Sequence, residues 1–103
     1  MTDAVPAPVA LAYLATLSAD LRTAVVLGPD GAVVAGDAAI AAATLALVRD
    51  AGLAVARQAP HGDGRLFAAR SAVHAMGLVV GPHALEAVVV HDLLGTLDDL
   101  RDC

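Results

Sequence analysis

The turn Gly28-Pro29-Asp30-Gly31, set between two apolar runs, constrains this chain more than any other stretch. Ala24-Val25-Val26-Leu27 precedes it and Ala32-Val33-Val34-Ala35 follows. Pro presets φ at the second turn position, Asp suits the third, and Gly takes the positive φ that closes the reversal. The two runs must then lie antiparallel as a hairpin. Gly36 and Asp37 end the return strand, and Asp37 is placed to cap a following helix. An N-cap Asp is worth about 1 kcal/mol over Ala.

The same residues have the glycine spacing of a phosphate-binding loop, G-x-x-x-x-G-K-[ST]. The chemistry argues against that reading. Asp37 stands where the Lys belongs and Ala38 where the Ser or Thr belongs, and the chain contains no Lys at all. A carboxylate there would oppose the anion that a helix N-terminus attracts. The residues between the glycines read as a buried strand instead.

A chain of 103 residues suits one domain. Its hydrophobic fraction of 58 % exceeds the roughly 45–50 % usual for soluble domains. Such a chain covers its sheet on both faces or buries surface against a partner. The formal charge of −5 argues against nucleic acid and anionic membranes as partners. One Tyr and one Phe leave little for stacking on bases. The lone cysteine, Cys103, excludes an intrachain disulfide. No basic n-region opens the chain, and Pro6 and Pro8 interrupt its first apolar run. No uninterrupted apolar stretch reaches the roughly 18–20 residues of a membrane helix. The expectation is a soluble, cytoplasmic protein.

Residues 1–7 read as a disordered tail and residues 8–103 as a single domain. Ala10, Tyr13, Leu14, Leu17 and Leu21 recur at three and four, which predicts a helix from about Pro8 to Leu21. The hairpin follows. A second helix is predicted from Asp37 to about Arg57. Ile40, Thr44, Leu47, Val48, Ala51 and Val55 form its main face; Ala41, Leu45, Gly52 and Ala56 widen the arc. Those small residues either admit a second helix at close range or reflect only the helix preference of Ala. Arg49, Asp50 and Arg57 fall opposite. Residues 59–64 read as a loop. Three strands are predicted after it, at 65–71, 75–80 and 85–90, the first with Arg at both ends like an edge strand. Leu93, Leu97 and Leu100 predict a short final helix.

No constellation argues for catalysis, a cofactor or a metal. The histidines at 61, 74, 83 and 91 lack the short spacings of a zinc site. Ser71 and His74 are near in sequence, but nothing resembles an oxyanion hole or a G-x-S-x-G elbow. Asp92, Asp98, Asp99 and Asp102 lack the spacing and glycine of an EF-hand and read as a solvated helix face.

The element order resembles the roadblock family, whose eukaryotic members include dynein light chains. The stretches that carry it run from Leu17 to Gly36, over the Ala-rich helix from Asp37, from Met76 to Pro82 and from Leu85 to His91. The resemblance implies an α+β fold, helix–two strands–helix–three strands–helix. Its five-stranded antiparallel sheet would be sandwiched by helices, profilin-like in layout, with the first and third helices on one face and the second on the other. It implies a dimer, with itself or a paralogue, in which third strands pair edge to edge and second helices pack together. Ala41, Leu45, Val48, Gly52, Leu66, Phe67, Ala68, Ala69 and Arg70 would form that interface. It also implies a non-catalytic bacterial partner or regulator of a small Ras-like GTPase, with Arg49 and Arg57 as candidate contacts. The alternatives are a profilin- or PAS-like small-ligand sensor, whose pocket would need polar groups the apolar interior lacks, and a purely structural dimerisation module.

Overall fold

The computed structural model describes residues 7–17 and 20–100. Helix α1 spans Ala7–Leu17, strand β1 Leu21–Leu27 and β2 Val33–Gly36. A 3₁₀ turn at Ala38–Ile40 leads into α2, Ala41–Val48. Strands β3 (Arg57–His61), β4 (Gly64–Arg70) and β5 (Ala75–Val80) precede α3, Glu86–Asp99. The five strands form one antiparallel sheet in the order β2-β1-β5-β4-β3. This is the expected α+β architecture.

The opening hairpin forms as its turn residues require. Gly31 N–H donates to Gly28 C=O at 3.0 Å, and Gly31 sits at φ 84. The Asp30 carboxylate accepts from Ala32 N–H at 3.1 Å and locks the reversal. Gly36 is at φ 93, and a Cβ there would meet Ala24 O at 2.3 Å. Both glycines thus serve the hairpin. Asp37 caps the next turn by accepting from Ala39 N–H at 2.9 Å, while its other oxygen accepts from the Thr23 hydroxyl at 3.0 Å.

Side chains alternate along each strand, and the alternation makes two cores. Val26, Phe67, Ala69, Met76, Leu78 and Val80 pack against Ala10 and Leu14 of α1 and Val89, Leu93 and Leu97 of α3. Val25, Leu27, Leu66, Ala68, Ala75 and Val79 pack against Ile40 and Val48. Helices α1 and α3 therefore cover one face and α2 the other. Each fully buried Val, Leu or Phe contributes about 1.5–3 kcal/mol, so these two layers carry the fold.

Several boundaries differ from the sequence reading. Residues 1–6 of the predicted tail, and Cys103, lie outside the described residues; Ala7 already belongs to α1. Leu21 opens β1 and does not close α1. Helix α2 stops at Val48, not near Arg57. Beyond it Ala51 N–H bonds Val48 C=O at 3.0 Å, and Ala54 takes φ 59, which turns the chain back toward the sheet. The predicted loop at 59–64 is the β3–β4 hairpin. The predicted strand at 85–90 is the start of α3, where Val89 N–H donates to Leu85 C=O at 3.0 Å. The β-branched run Val88-Val89-Val90 suggested a strand, but Val89, Leu93, Thr96, Leu97 and Leu100 are buried at helical spacing. The strand count was right because the missed β3 replaced the misread strand.

Candidate interaction face

Helix α2 has one buried face. Ile40, Thr44, Val48 and Ala51 lie against the sheet, as their spacing predicted. Its outer side carries Leu45, 36 % exposed, which leans over the β1–β2 turn. The segment after α2 adds Leu53 at 55 % and Val55 at 47 % exposure. Ala41 is half-buried and Gly52 exposed. Leu53 and Val55 lie in the segment that leads into β3, whose outer edge has no neighbouring strand among the described residues.

The predicted interface is thereby corrected in part. Strand β4, residues 64–70, is an interior strand between β3 and β5, so it has no free edge to pair. Leu66, Phe67, Ala68 and Ala69 are buried in the two cores. Val48 is buried as well. Arg70 is half-buried and holds the segment after α2: its Nε donates to Ala51 O at 2.8 Å, and its own carbonyl accepts from Ala54 N–H at 2.8 Å. The edge strands are β2 and β3, and β3 is the one next to β4. Of the residues of β3, Arg57 was expected to end the second helix and Ala59-Pro60-His61 to form a loop; Pro is tolerated at a sheet edge. Val55, expected on the main face of a longer helix, is exposed because α2 ends at Val48, and Leu53 was not singled out.

Arg22 pairs with Asp63, which raises the arginine's pKa and lowers the carboxylate's, chiefly through their shared hydrogen bond. Arg65 lies 3.6 Å from Glu86, donates to Gln58 Oε1 at 3.0 Å and to Ala84 O at 3.1 Å, and stacks 5.1 Å over the Phe67 ring. Arg49 and Arg57 are exposed and make no ion pair among the described residues. Arg57 pairs with Ala68, which faces α2, so its side chain is on that face too.

A groove of about 440 Å³ lies at the end of α2, lined by Gly28, Pro29, Gly31, Leu45, Val48, Arg49 and residues 70–75. Another of about 450 Å³ lies between α1 and the β1–β2 hairpin, by Leu11, Ala15, Arg22 and Asp37. Ser71 and His74 meet in the first, yet not as a catalytic pair. The Ser71 hydroxyl accepts from the backbone N–H groups of Val73 (3.3 Å) and His74 (3.1 Å). The His74 Nδ1 is buried without a partner among the described residues, and burial pushes its pKa below 6.5. Among the described residues, no three His, Cys, Asp or Glu side chains gather where one metal ion could sit. No described helix is long and apolar enough to cross a membrane.

The arrangement of sheet and helices matches the crystal structure of a Roadblock/LC7 domain from Streptomyces avermitilis, with a TM-score of 0.80 over 95 % of this chain and 97 % of that one. The chain has the roadblock/LC7 fold. Sequence identity in that match is 16 %, so the agreement lies in the fold. A second Streptomyces avermitilis Roadblock/LC7 domain matches at TM-score 0.71 and 20 % identity, over 88 % of this chain and 94 % of that one. The crystal structure of a LokiProfilin1/rabbit actin complex matches at 0.65 and 13 % identity, over 90 % and 92 %. The roadblock layout is thus shared with profilin, as the sequence reading expected. No protein-family model and no curated protein sequence matches the chain.

Proposed function

We propose that this protein is a non-catalytic scaffold that forms a homodimer and binds a small Ras-like GTPase in the bacterial cytoplasm. The observation that carries the reading is the free edge of β3 following exposed Leu53 and Val55, with Leu45 exposed on α2. An unpaired edge next to apolar side chains is an aggregation hazard unless it is covered. A second copy covers both at once, by strand pairing and by α2 packing on α2. Ala41, Leu45 and Gly52 stay in the proposed seam, joined by Leu53, Val55 and β3. The likeness to two Roadblock/LC7 domains supports the scaffold role. Arg49 and Arg57, without carboxylates among the described residues, are the proposed GTPase contacts.

The mass in solution tests the dimer. Wild type is expected to run as a dimer, and Leu45→Glu as a folded monomer, because it places a charge in the seam. A monomeric wild type refutes the assembly. Purified small Ras-like GTPases from the encoding organism, loaded with a GTP analogue, test the partner. Binding that weakens in Arg49→Glu with Arg57→Glu is expected, and a lack of binding to any of them removes the GTPase from the proposal.

A further inference from the structure

We propose that two copies join through β3 in a single antiparallel register, with the two-fold axis at Gln58. This rests on the dimer reading above. The argument begins at the β3–β4 turn. His61 pairs with Gly64, leaving Gly62 and Asp63 as a two-residue loop. Gly62 has φ 60, and Asp63 is not among the positive-φ residues, as a type II′ turn requires. The closing pair of such a hairpin exchanges both backbone hydrogen bonds, and the pairs then alternate. His61, Ala59 and Arg57 therefore turn their N–H and C=O groups toward β4. Pro60, Gln58 and Ala56 turn theirs outward.

The free edge thus offers a donor and an acceptor at Gln58 and at Ala56, but only an acceptor at Pro60, which has no N–H. A two-fold dimer pairs this edge with itself antiparallel. An axis at Pro60 sets two outward residues without donors against each other. An axis at Ala59 opposes Gln58 with Pro60 and leaves one bond in each pair. An axis at Arg57 fills its bonds but puts two guanidiniums directly opposite, which is destabilising; its bonds also all involve Ala56, which lies outside β3. An axis at Gln58 lets the two Gln58 residues exchange both bonds, lets each Ala56 donate to the other copy's Pro60, and sets Arg57 against Ala59. Among axes at residues 57 to 60, Pro60 and Arg57 together leave only Gln58.

Disulfide trapping reads the register directly. Arg57→Cys, Gln58→Cys and Ala59→Cys are made singly in a Cys103→Ser background, checked for folding by circular dichroism, and oxidised mildly. A hydrogen-bonded pair places Cα atoms about 5.5 Å apart, inside the disulfide range. Residues 57 and 59 would face their own copies about 8 Å apart, outside it. The Gln58→Cys dimer is expected to cross-link at least tenfold faster than the other two. Faster trapping at 57 or 59 overturns the register. A dimeric mass with no trapping at any position overturns β3 as the seam. A monomeric mass refutes the dimer reading itself.

Discussion

Gly77→Ala is expected to destabilise the fold by about 2 kcal/mol, and Thr44→Ala to rescue most of that loss. Gly77 lies in β5 between Val25 and Ala68, with its α-carbon facing α2. A Cβ there would stand 2.1 Å from Thr44 Oγ1, 3.0 Å from its Cγ2 and 3.1 Å from its Cβ. Thr44 is fully buried and its hydroxyl has no hydrogen-bond partner among the described residues. The helix has no slack at that point. Forcing a methyl into a packed core costs about 1–3 kcal/mol, and a contact near 2 Å belongs at the upper end. Replacing Gly within a strand returns roughly 0.5–1 kcal/mol of backbone entropy, which leaves the net near 2.

Thr44→Ala alone should lie within about 1 kcal/mol of wild type. It loses a buried methyl worth about 0.8 kcal/mol, but it removes an orphaned hydroxyl whose burial costs about 1–3. In the double variant Oγ1 and Cγ2 are gone and only the 3.1 Å Cβ contact remains, which a shift of a few tenths of an ångström relieves. The coupling should be about 1–2 kcal/mol, within the range for touching residues. Urea unfolding followed by circular dichroism measures all four proteins. With a slope of about 1–3 kcal/mol per molar, the Gly77→Ala midpoint should fall by about 1 M. The reasoning fails if Gly77→Ala costs under about 0.5 kcal/mol, or costs the same in the wild-type and Thr44→Ala backgrounds.

Three further outcomes follow from single residues. Ala54 holds φ 59, where an L side chain is strained; Ala54→Gly should raise stability by about 1 kcal/mol, read as a higher urea midpoint. Asp37→Ala loses the cap to Ala39 and the Thr23 bond; it should cost about 1 kcal/mol, seen as a lower thermal midpoint. Burial holds His74 below its usual 6.5, so the unfolded chain takes up the proton first. Stability is then greatest above pH 6.5 and declines as pH falls from there toward the folded-state value. Unfolding curves of His74→Gln should be flatter than wild type across that window, and an unchanged slope would count against the burial argument.

What could be read in advance depended on how local the signal was. The β1–β2 turn was legible because Pro29, Asp30 and Gly31 each demand one backbone state, though β1 starts at Leu21, three residues before the predicted run. Ile40, Thr44, Val48 and Ala51 were legible because three-and-four spacing survives even in an Ala-rich helix. The end of α2 was not, since the residue that turns left-handed is Ala54, where a Gly would have announced it. Strand β3 was hidden by its polar composition and by Pro60, and its loss misplaced the sheet edge onto β4. The candidate face suffered accordingly. Its strand part was assigned to residues that are core, and Val48 of its helix part is core as well. Val88-Val89-Val90 misled because three β-branched residues outweigh a helical period that shows only further along.

The sheet order also sets when this chain can fold. Strand β1 lies beside β5, with Leu27 against Ala75 and Leu21 against Val80. The first hairpin therefore cannot complete its pairing until the last strand exists, and α3, which seals one core, comes later still. Such non-local pairing slows folding, because loop closure precedes the contacts that reward it. On a ribosome the apolar β1–β2 ribbon would wait with one side of β1 uncovered while β3 and β4 emerge, a period in which unpaired edges favour aggregation.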